Sequence, residues 1–251
     1  VTRSKLIPLM VGREITSLRT GEPNEPGEVV LETSGFGGAV HPDPGVTLSV
    51  CAGEIVGLAG LVGSGRSELL ESLFGVAPSR GEAKVSGQAL PAGDPRAAID
   101  AGLALVPEDR KEQGLVMEMG VRENTTLATI ERDASGGFLD AAREAERTSE
   151  AVSSLAIKTP SQEQEVRLLS GGNQQKVVIG RWLATNPRVL LMDEPTRGVD
   201  VGAKQEIYRL IEELAADGMG VLFASSEMEE VLGLADRVLV MHEGRLSGEL
   251  S

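Results

Sequence analysis

An apolar stretch at 54–59 runs straight into Gly60-Leu-Val-Gly-Ser-Gly-Arg-Ser67, and a helical pattern follows at once. Leu69, Leu70, Leu73 and Phe74 fall on one face over 67–74, with Gly75 where a C-cap glycine belongs. A buried strand, a glycine-rich turn and a helix in this order make a surface on which backbone N–H groups can curl round an anion. The helix N-terminus adds its positive end. On this reading Gly60, Gly63, Ser64, Gly65, Arg66, Ser67 and Glu68 surround a phosphate group, and the Ser67 hydroxyl is a ligand for Mg²⁺. The pattern expects Lys before the serine. Arg66 stands there instead, always charged and able to fork onto phosphate, but bulkier and differently shaped. The alternative is a strand–helix turn with no ligand, which both flanks disfavour.

The rest of the chain keeps the same rhythm. Strands are expected at 29–33, 46–50 and 82–90, a short helix over 95–101 and a buried strand at 103–106. From about 115 to 169 the strand signal vanishes. Residues 138–155 are rich in Ala and Glu at helical spacing, so this stretch is expected to be all-helical. The rhythm returns at 172, and a helix ends near Asn186 and Pro187. A buried strand follows at 189–192, then a helical stripe of Ala203, Ile207, Leu210, Ile211 and Leu214 closed by Gly218, then strands at 221–224 and 237–241. Apolar strands alternating with helices mean an α/β fold with a mostly parallel sheet covered on both faces. Residues 1–28, with a charged and turn-rich run at 20–27, read as a linker, which leaves 29–251 as the folded domain. The first residue is Val1, as expected of a piece of a longer polypeptide.

Composition removes whole classes of function. Hydrophobic residues make up 41% and charged residues 25% of 251, an ordinary globular balance. The 24 basic residues against 38 acidic ones leave a net charge of −14, which argues against sequence-independent nucleic-acid binding and against docking on anionic lipid. Aromatics at 2% argue against base stacking. Cys51 is the only cysteine, so neither an intrachain disulfide nor a thiolate zinc cage can form; His41 and His242 are too few and too distant in sequence for a His-rich metal site. No apolar run approaches the ~20 residues that span a bilayer, and residues 1–6 do not open a signal peptide, so a reducing cytoplasm is the expected compartment.

Two more segments carry chemistry. Val189-Leu-Leu-Met-Asp193-Glu194-Pro195 ends an apolar strand on two carboxylates. Asp193 is suited to hold Mg²⁺ through water, and Glu194 to orient or deprotonate an attacking water. Alone, this segment reads better as a solvated acidic turn; beside the glycine loop that reading loses ground. Leu169-Ser-Gly-Gly-Asn-Gln-Gln-Lys176 precedes a helix. Ser170 is a good N-cap and Gly171 and Gly172 permit close backbone approach, which makes either a second anion site or simply a capped helix start. One chain has no obvious use for two anion sites. Two chains do, if each lends this segment to the other's nucleotide.

In this order, split by a helical stretch, the three segments resemble the nucleotide-binding domains of ABC transporters. In that resemblance residues 60–67 are the Walker A loop and 189–194 the Walker B strand, with Glu194 as the catalytic residue. Leu169, Ser170, Gly171, Gly172, Asn173 and Gln174 are the signature motif, offered in trans, and Asp200 is the D-loop aspartate. The signature ending Asn-Gln-Gln-Lys and the run at 194–203 look most like ATP-binding subunits of ribose, galactose and xylose importers, which carry two nucleotide-binding domains in one polypeptide. Met10-Val-Gly-Arg13, Arg66 and the run at 241–248 resemble the second, C-terminal one. The resemblance covers the chain from about residue 8. It implies a P-loop NTPase fold of ABC ATPase type, with an N-terminal antiparallel β subdomain and a helical subdomain at about 115–169. It implies ATP and Mg²⁺ as cofactors. The implied partners are the N-terminal nucleotide-binding domain of the same subunit, a membrane permease and, indirectly, a solute-binding protein, with no nucleic acid. The implied location is peripheral, on the cytoplasmic face of the cell membrane.

The chain also departs from that pattern. Where the family has a Gln that contacts Mg²⁺ and the attacking water, this chain has Glu108, a further candidate metal ligand. A carboxylate ~4 Å from a phosphate charge costs on the order of 4 kcal/mol at an effective dielectric of ~20, unless a metal intervenes or the carboxylate is protonated. Where the family has a switch histidine, this chain has Ser226. Phe36 is the one upstream candidate to stack on adenine, and plain packing suits it equally. Losing one preorganised group near developing charge costs about 10²–10³ in rate, so Arg66, Glu108 and Ser226 together predict a degenerate site at this domain's own phosphate loop. Two alternatives stand beside this one: a soluble ABC-type ATPase acting on DNA or ribosomes, which the acidic balance disfavours, and a regulatory module that binds ATP without hydrolysing it. The charges at Arg143, Glu144, Glu146, Arg147 and Glu150 read as a solvated helix face, and Met228, Val231, Leu232 and Leu234 as core rather than a partner groove.

Overall fold

A computed structural model describes residues 24–38, 45–135 and 137–250. Six strands form the central sheet, in the spatial order Arg245–Leu250 (β12), Arg237–His242 (β11), Ile55–Ala59 (β3), Gly220–Ala224 (β10), Val189–Asp193 (β9) and Leu103–Val106 (β6). Five of them run parallel, and β12 returns antiparallel along β11. The apolar runs that marked these strands divide strictly by parity. Ile55, Ala104, Val106, Leu190, Met192, Val221, Phe223 and Val238 enter one core; Val56, Leu58, Leu103, Leu105, Val189, Leu191, Leu222 and Leu239 enter the other. A sheet buried on both faces needs apolar residues at every position, which is why these strands read as continuous runs.

The first core is closed by helices Gly171–Leu183 (α6), Val201–Ala216 (α7) and Met228–Leu234 (α8). The second is closed by Arg66–Phe74 (α1), Pro95–Asp100 (α2) and a four-stranded antiparallel sheet. That sheet has the order Ser49–Cys51 (β2), Val29–Gly38 (β1), Ser79–Val85 (β4) and Gln88–Ala89 (β5). The α/β architecture with an antiparallel β layer is as expected. Val231 and Leu234 are fully buried, with Met228 and Leu232 packed against the same core, so this stripe is core. Phe36 is buried in the second core and pairs with Val46, which assigns it to packing.

Three expectations need correction. The stretch at 115–169 holds helices Val121–Thr126 (α3), Ile130–Asp133 (α4) and Ala141–Ser154 (α5), but it is not strand-free: Ala134–Ser135 (β7) pairs with Phe138–Leu139 (β8). The sequence between these strands is Gly136-Gly137, a two-residue hairpin signal. Accordingly α5 starts three residues later than expected, where the Asp140 carboxylate accepts from Ala142 N and Arg143 N. Nor is the polar face of α5 simply solvated. The Arg147 guanidinium lies 3.0 Å from the buried Asp133 carboxylate, and Glu144 accepts from the Thr126 hydroxyl. The last part of the expected linker is bound to the fold: Gly27 N donates to Ala52 O and Ala52 N to Glu28 O, each at 2.8 Å. Residues 1–23, including Met10 to Arg13, and His41 lie outside the described residues.

Two contacts tie the layers together. Gly57 lets α8 sit down on β3, because a Cβ there would lie 2.8 Å from Val231 Cγ1 and 3.0 Å from Ala235 Cβ. Trp182 near the end of α6 meets Phe74 at the end of α1 edge-to-face, with ring centroids 5.2 Å apart. Gly57→Val should lift α8 and cost about 1–3 kcal/mol as an overpacked core site. Urea denaturation checks this, and an unchanged midpoint would contradict it.

Candidate active site

Parallel strands send their carboxyl ends out of one edge of the sheet, and the loops after β3, β6, β9 and β10 meet there. They line a cavity of about 620 Å³ bounded by residues 61–68, Glu108, Glu194, Arg197, Gly198, Ser226 and Glu227. All the phosphate-loop candidates except Gly60 line this cavity, together with Glu194, Glu108 and Ser226. Gly60 lies beneath the loop, where an added Cβ would strike Ser64 Oγ at 2.4 Å. The loop is pinned by Gly244 N donating to Ser64 O (2.8 Å) and Ser64 N to Leu61 O (3.0 Å). Its outer residues Leu61 and Val62 are 80% and 95% exposed, whereas the Ser64 hydroxyl is buried with no hydrogen-bond partner.

Asp193 ends β9 almost fully buried. Burial raises its carboxyl from 3.8 to about 6, against the hydrogen bond with Ser67. A hydroxyl beside a carboxylate, both oxygen donors at the mouth of a phosphate loop, fits Mg²⁺, which takes one or two protein oxygens and completes its shell with phosphate and water. Among the described residues no group of three or more His, Cys, Asp or Glu could hold a metal unaided.

Glu194 follows in the left-handed region, at φ 45°. Its N–H donates to Ala224 O at 2.9 Å, which holds the turn to the end of β10. Both carboxylate oxygens are engaged. Oε2 accepts from the Ser226 hydroxyl at 3.0 Å, and Oε1 lies 3.7 Å from Arg66 Nη2. The Arg66 guanidinium is itself nearly buried and donates through Nη1 to Ser225 O at 2.7 Å. Two of the three departures from the family pattern therefore converge on the carboxylate suited to activate water. The third, Glu108, forms an ion pair with Arg197. That counter-charge supplies a way to hold a carboxylate near phosphate other than metal or protonation.

The signature segment lies at the start of α6. Ser170 occupies the N-cap position, but its hydroxyl accepts from the Asn173 side chain (2.8 Å) and no side chain caps the helix. This corrects the expected capping role and leaves the first N–H groups without a side-chain partner. Among the described helices Asp94, Asp140 and Asp200 cap α2, α5 and α7, while α1, α3, α4, α6 and α8 have no side-chain cap. The two glycines admit neighbours from the same chain: a Cβ on Gly171 would meet Gly198 O at 2.7 Å, and one on Gly172 would meet Ala203 Cβ at 2.5 Å. Ser170 is exposed and Leu169 half-buried, but Gln174 is buried and turned inward, donating to Val166 O at 3.0 Å. Asp200 accepts from Ala203 N at 3.0 Å as the cap of α7.

Three groups near the site carry no role in the sequence reading. Arg110 reaches the 197–198 loop and Gln174. Arg197 pairs with Glu108. Glu230, buried on α8, accepts from Thr196 Oγ1 and from Tyr208 OH, which supports the turn after Glu194; burial and this hydrogen bond push the Tyr208 hydroxyl up. A charged run such as Glu108-Asp-Arg-Lys reads as surface, and bonds to backbone carbonyls leave no mark in a sequence.

The ABC transporter family matches residues 44–197 of this chain. The chain is 53% identical to a ribose import ATP-binding protein of Rubrobacter xylanophilus over 252 residues, covering 99% of this chain and 50% of that protein. It is 49% identical to proteins of the same description from Burkholderia pseudomallei and Rhodococcus jostii, covering 100% of this chain and 49% and 50% of theirs. The chain thus spans about half the length of the curated relatives it matches. A nucleotide-free ATP-binding cassette from an ABC transporter superposes with a TM-score of 0.76 at 25% identity, covering 88% of this chain and 90% of that one. A dimeric cassette in a post-hydrolysis state with ADP and Pi gives 0.73 at 22% identity, covering 88% and 98%. No helix among the described residues is long and apolar enough to cross a membrane.

Asp193 has a testable consequence. Its carboxyl is raised in the folded state, so its contribution to stability is complete below its unfolded value of 3.8 and is lost as pH rises through about 6. Without Mg²⁺, Asp193→Asn should gain on the wild type between pH 4 and pH 7 by on the order of 2–3 kcal/mol. Urea midpoints across that range check it, and a constant difference between the two proteins contradicts it.

Proposed function

Because this chain belongs to the ABC transporter family, we propose that it is the C-terminal nucleotide-binding domain of a sugar-importer ATPase subunit, binding ATP with Mg²⁺ and converting closure against a partner domain into motion of a membrane permease. Residues from Gly27 onward form the domain, with the mainly helical subdomain at about 115–169, and the residues before them lead in from a preceding nucleotide-binding domain of the same polypeptide. The subunit works on the cytoplasmic face of the cell membrane, takes its solute through the permease from a solute-binding protein, and has no nucleic-acid partner.

The observation that carries this reading is the convergence of residues 61–68, Glu108, Glu194 and Ser226 on one cavity at the carboxyl edge of the sheet. α1 opens behind the phosphate loop and α6 behind the signature glycines, neither with a side-chain cap among the described residues. An uncapped helix N-terminus favours an anion by backbone N–H and dipole together. Backbone groups of residues 63–67 bind phosphate, Ser67 and Asp193 hold the metal ion, and Leu169 to Asn173 complete the partner domain's site, with Gln174 turned inward behind them. Mg²⁺, when bound, neutralises charge on the phosphates and polarises the bond to be broken.

This domain's own site is the degenerate one. Glu194 meets water with Arg66 facing one oxygen and the Ser226 hydroxyl donating to the other, so an attacking water must share a carboxylate that is already held in place. Arg66 in turn is held by Ser225 O. The chain with Mg²⁺-ATP should therefore bind nucleotide and turn it over slowly. Ser67→Ala should weaken Mg²⁺-ATP binding at least about tenfold, and Arg66→Lys with Ser226→His should raise kcat by about tenfold or more. Fluorescent-nucleotide titration and phosphate release measure both. Rapid hydrolysis by the unaltered chain, abolished in Glu194→Gln, would refute the degenerate site; failure to bind ATP would refute the whole reading.

A further inference from the structure

Arg110 is nearly buried, and all three of its donor nitrogens are used on neutral acceptors. Nη1 donates to Arg197 O at 2.5 Å, Nη2 to Gly198 O at 3.0 Å and Nε to Gln174 Oε1 at 3.3 Å. Gly171 makes room for it, since a Cβ there would lie 2.7 Å from Arg110 Nη2. Among the described residues it has no carboxylate at ion-pair distance, and burial lowers its pKa. A buried cation satisfied only by carbonyls is a costly way to gain stability. What the fork supplies is geometry. It starts in the segment after β6, two residues from Glu108, and ends on the 197–198 turn and the first turn of α6. The same turn is held a second time through its side chain, by the Arg197–Glu108 ion pair.

We propose that Arg110 is a positioning residue: its guanidinium locks the 197–200 loop and the start of α6 into one face, and couples that face to the Glu108 segment beside this domain's own nucleotide. The inference rests on the proposed function for what the face does, since Leu169 to Asn173 are the groups offered to the partner's nucleotide. The coupling itself is a property of the fold. With Arg110 in place, a shift of the Glu108 loop moves the signature turn with it. A lysine keeps the charge but cannot reach three acceptors in the planar fork.

Two readouts test this, hydrogen exchange on the full chain and steady-state ATP turnover by the full-length polypeptide that contains it. In Arg110→Lys, amide exchange in 196–204 and 170–176 should speed up at least tenfold while β9 and β10 exchange as in the wild type, and kcat should fall about tenfold with KM for ATP within twofold. Unchanged exchange in the two segments, or an equal rise throughout the sheet, overturns the proposal, because a merely structural contact loosens the whole domain. Should Arg110→Lys fail to fold, Gln174→Met removes one of the three acceptors together with the bond from Gln174 to Val166 O; a threefold rise that reaches 196–204 supports the coupling, and no rise in 196–204 overturns it. A wild type that binds no ATP would sink the proposed function while the exchange data still decide the role of Arg110.

Discussion

Parallel pairing of β3, β10, β9 and β6 is the constraint from which the site follows. Because these strands run the same way, each must return through a crossover, and each delivers its following loop to the same edge. The phosphate loop, the Asp193–Glu194 turn, Ser225–Ser226 and the Glu108–Arg110 segment are those four loops. None needs a long-range device to find the others. Full burial of the strands on both faces fixes the heights at which the loops begin, so groups from positions far apart in sequence meet within hydrogen-bond distance.

Within that edge, electrostatics sorts the carboxylates. Asp193 lies deepest, and burial disfavours its charge despite the hydrogen bond with the Ser67 hydroxyl. Glu194 is nearer the opening and is already engaged by Arg66 and Ser226. Glu108 faces Arg197. Three acidic groups share this edge, and each has its own neighbour: the Ser67 hydroxyl for Asp193, Arg66 and Ser226 for Glu194, and Arg197 for Glu108.

Most of the architecture was legible in the sequence because the elements that build it have strong local signatures. A strand buried on both faces is an apolar run, and a glycine loop between such a strand and a helix has few other readings. The motifs at 60–67, 169–174 and 193–194 stood out for the same reason. The small hairpin at 134–139 did not, since two-residue strands leave no period to count. Nor did β12, whose sequence Arg-Leu-Ser-Gly-Glu-Leu is that of an edge strand answering to one neighbour and to water. The clamp on Glu194 was hidden for another reason. Arg66 and Ser226 were each visible as departures, but that both turn toward the same carboxylate depends on the order of β9 and β10 in the sheet. Arg110 was invisible because its partners are two carbonyls and an amide.

The edge-to-face contact of Trp182 with Phe74 joins the C-terminal ends of two helices, α1 that follows the 60–65 loop and α6 that follows the 169–170 turn. Trp182 is the only tryptophan in the chain. The domain therefore contains an intrinsic fluorophore at the joint between its nucleotide-binding sheet and its helical flank. A change in how α1 and α6 meet would alter the indole's surroundings directly, so emission from the unlabelled protein would report it.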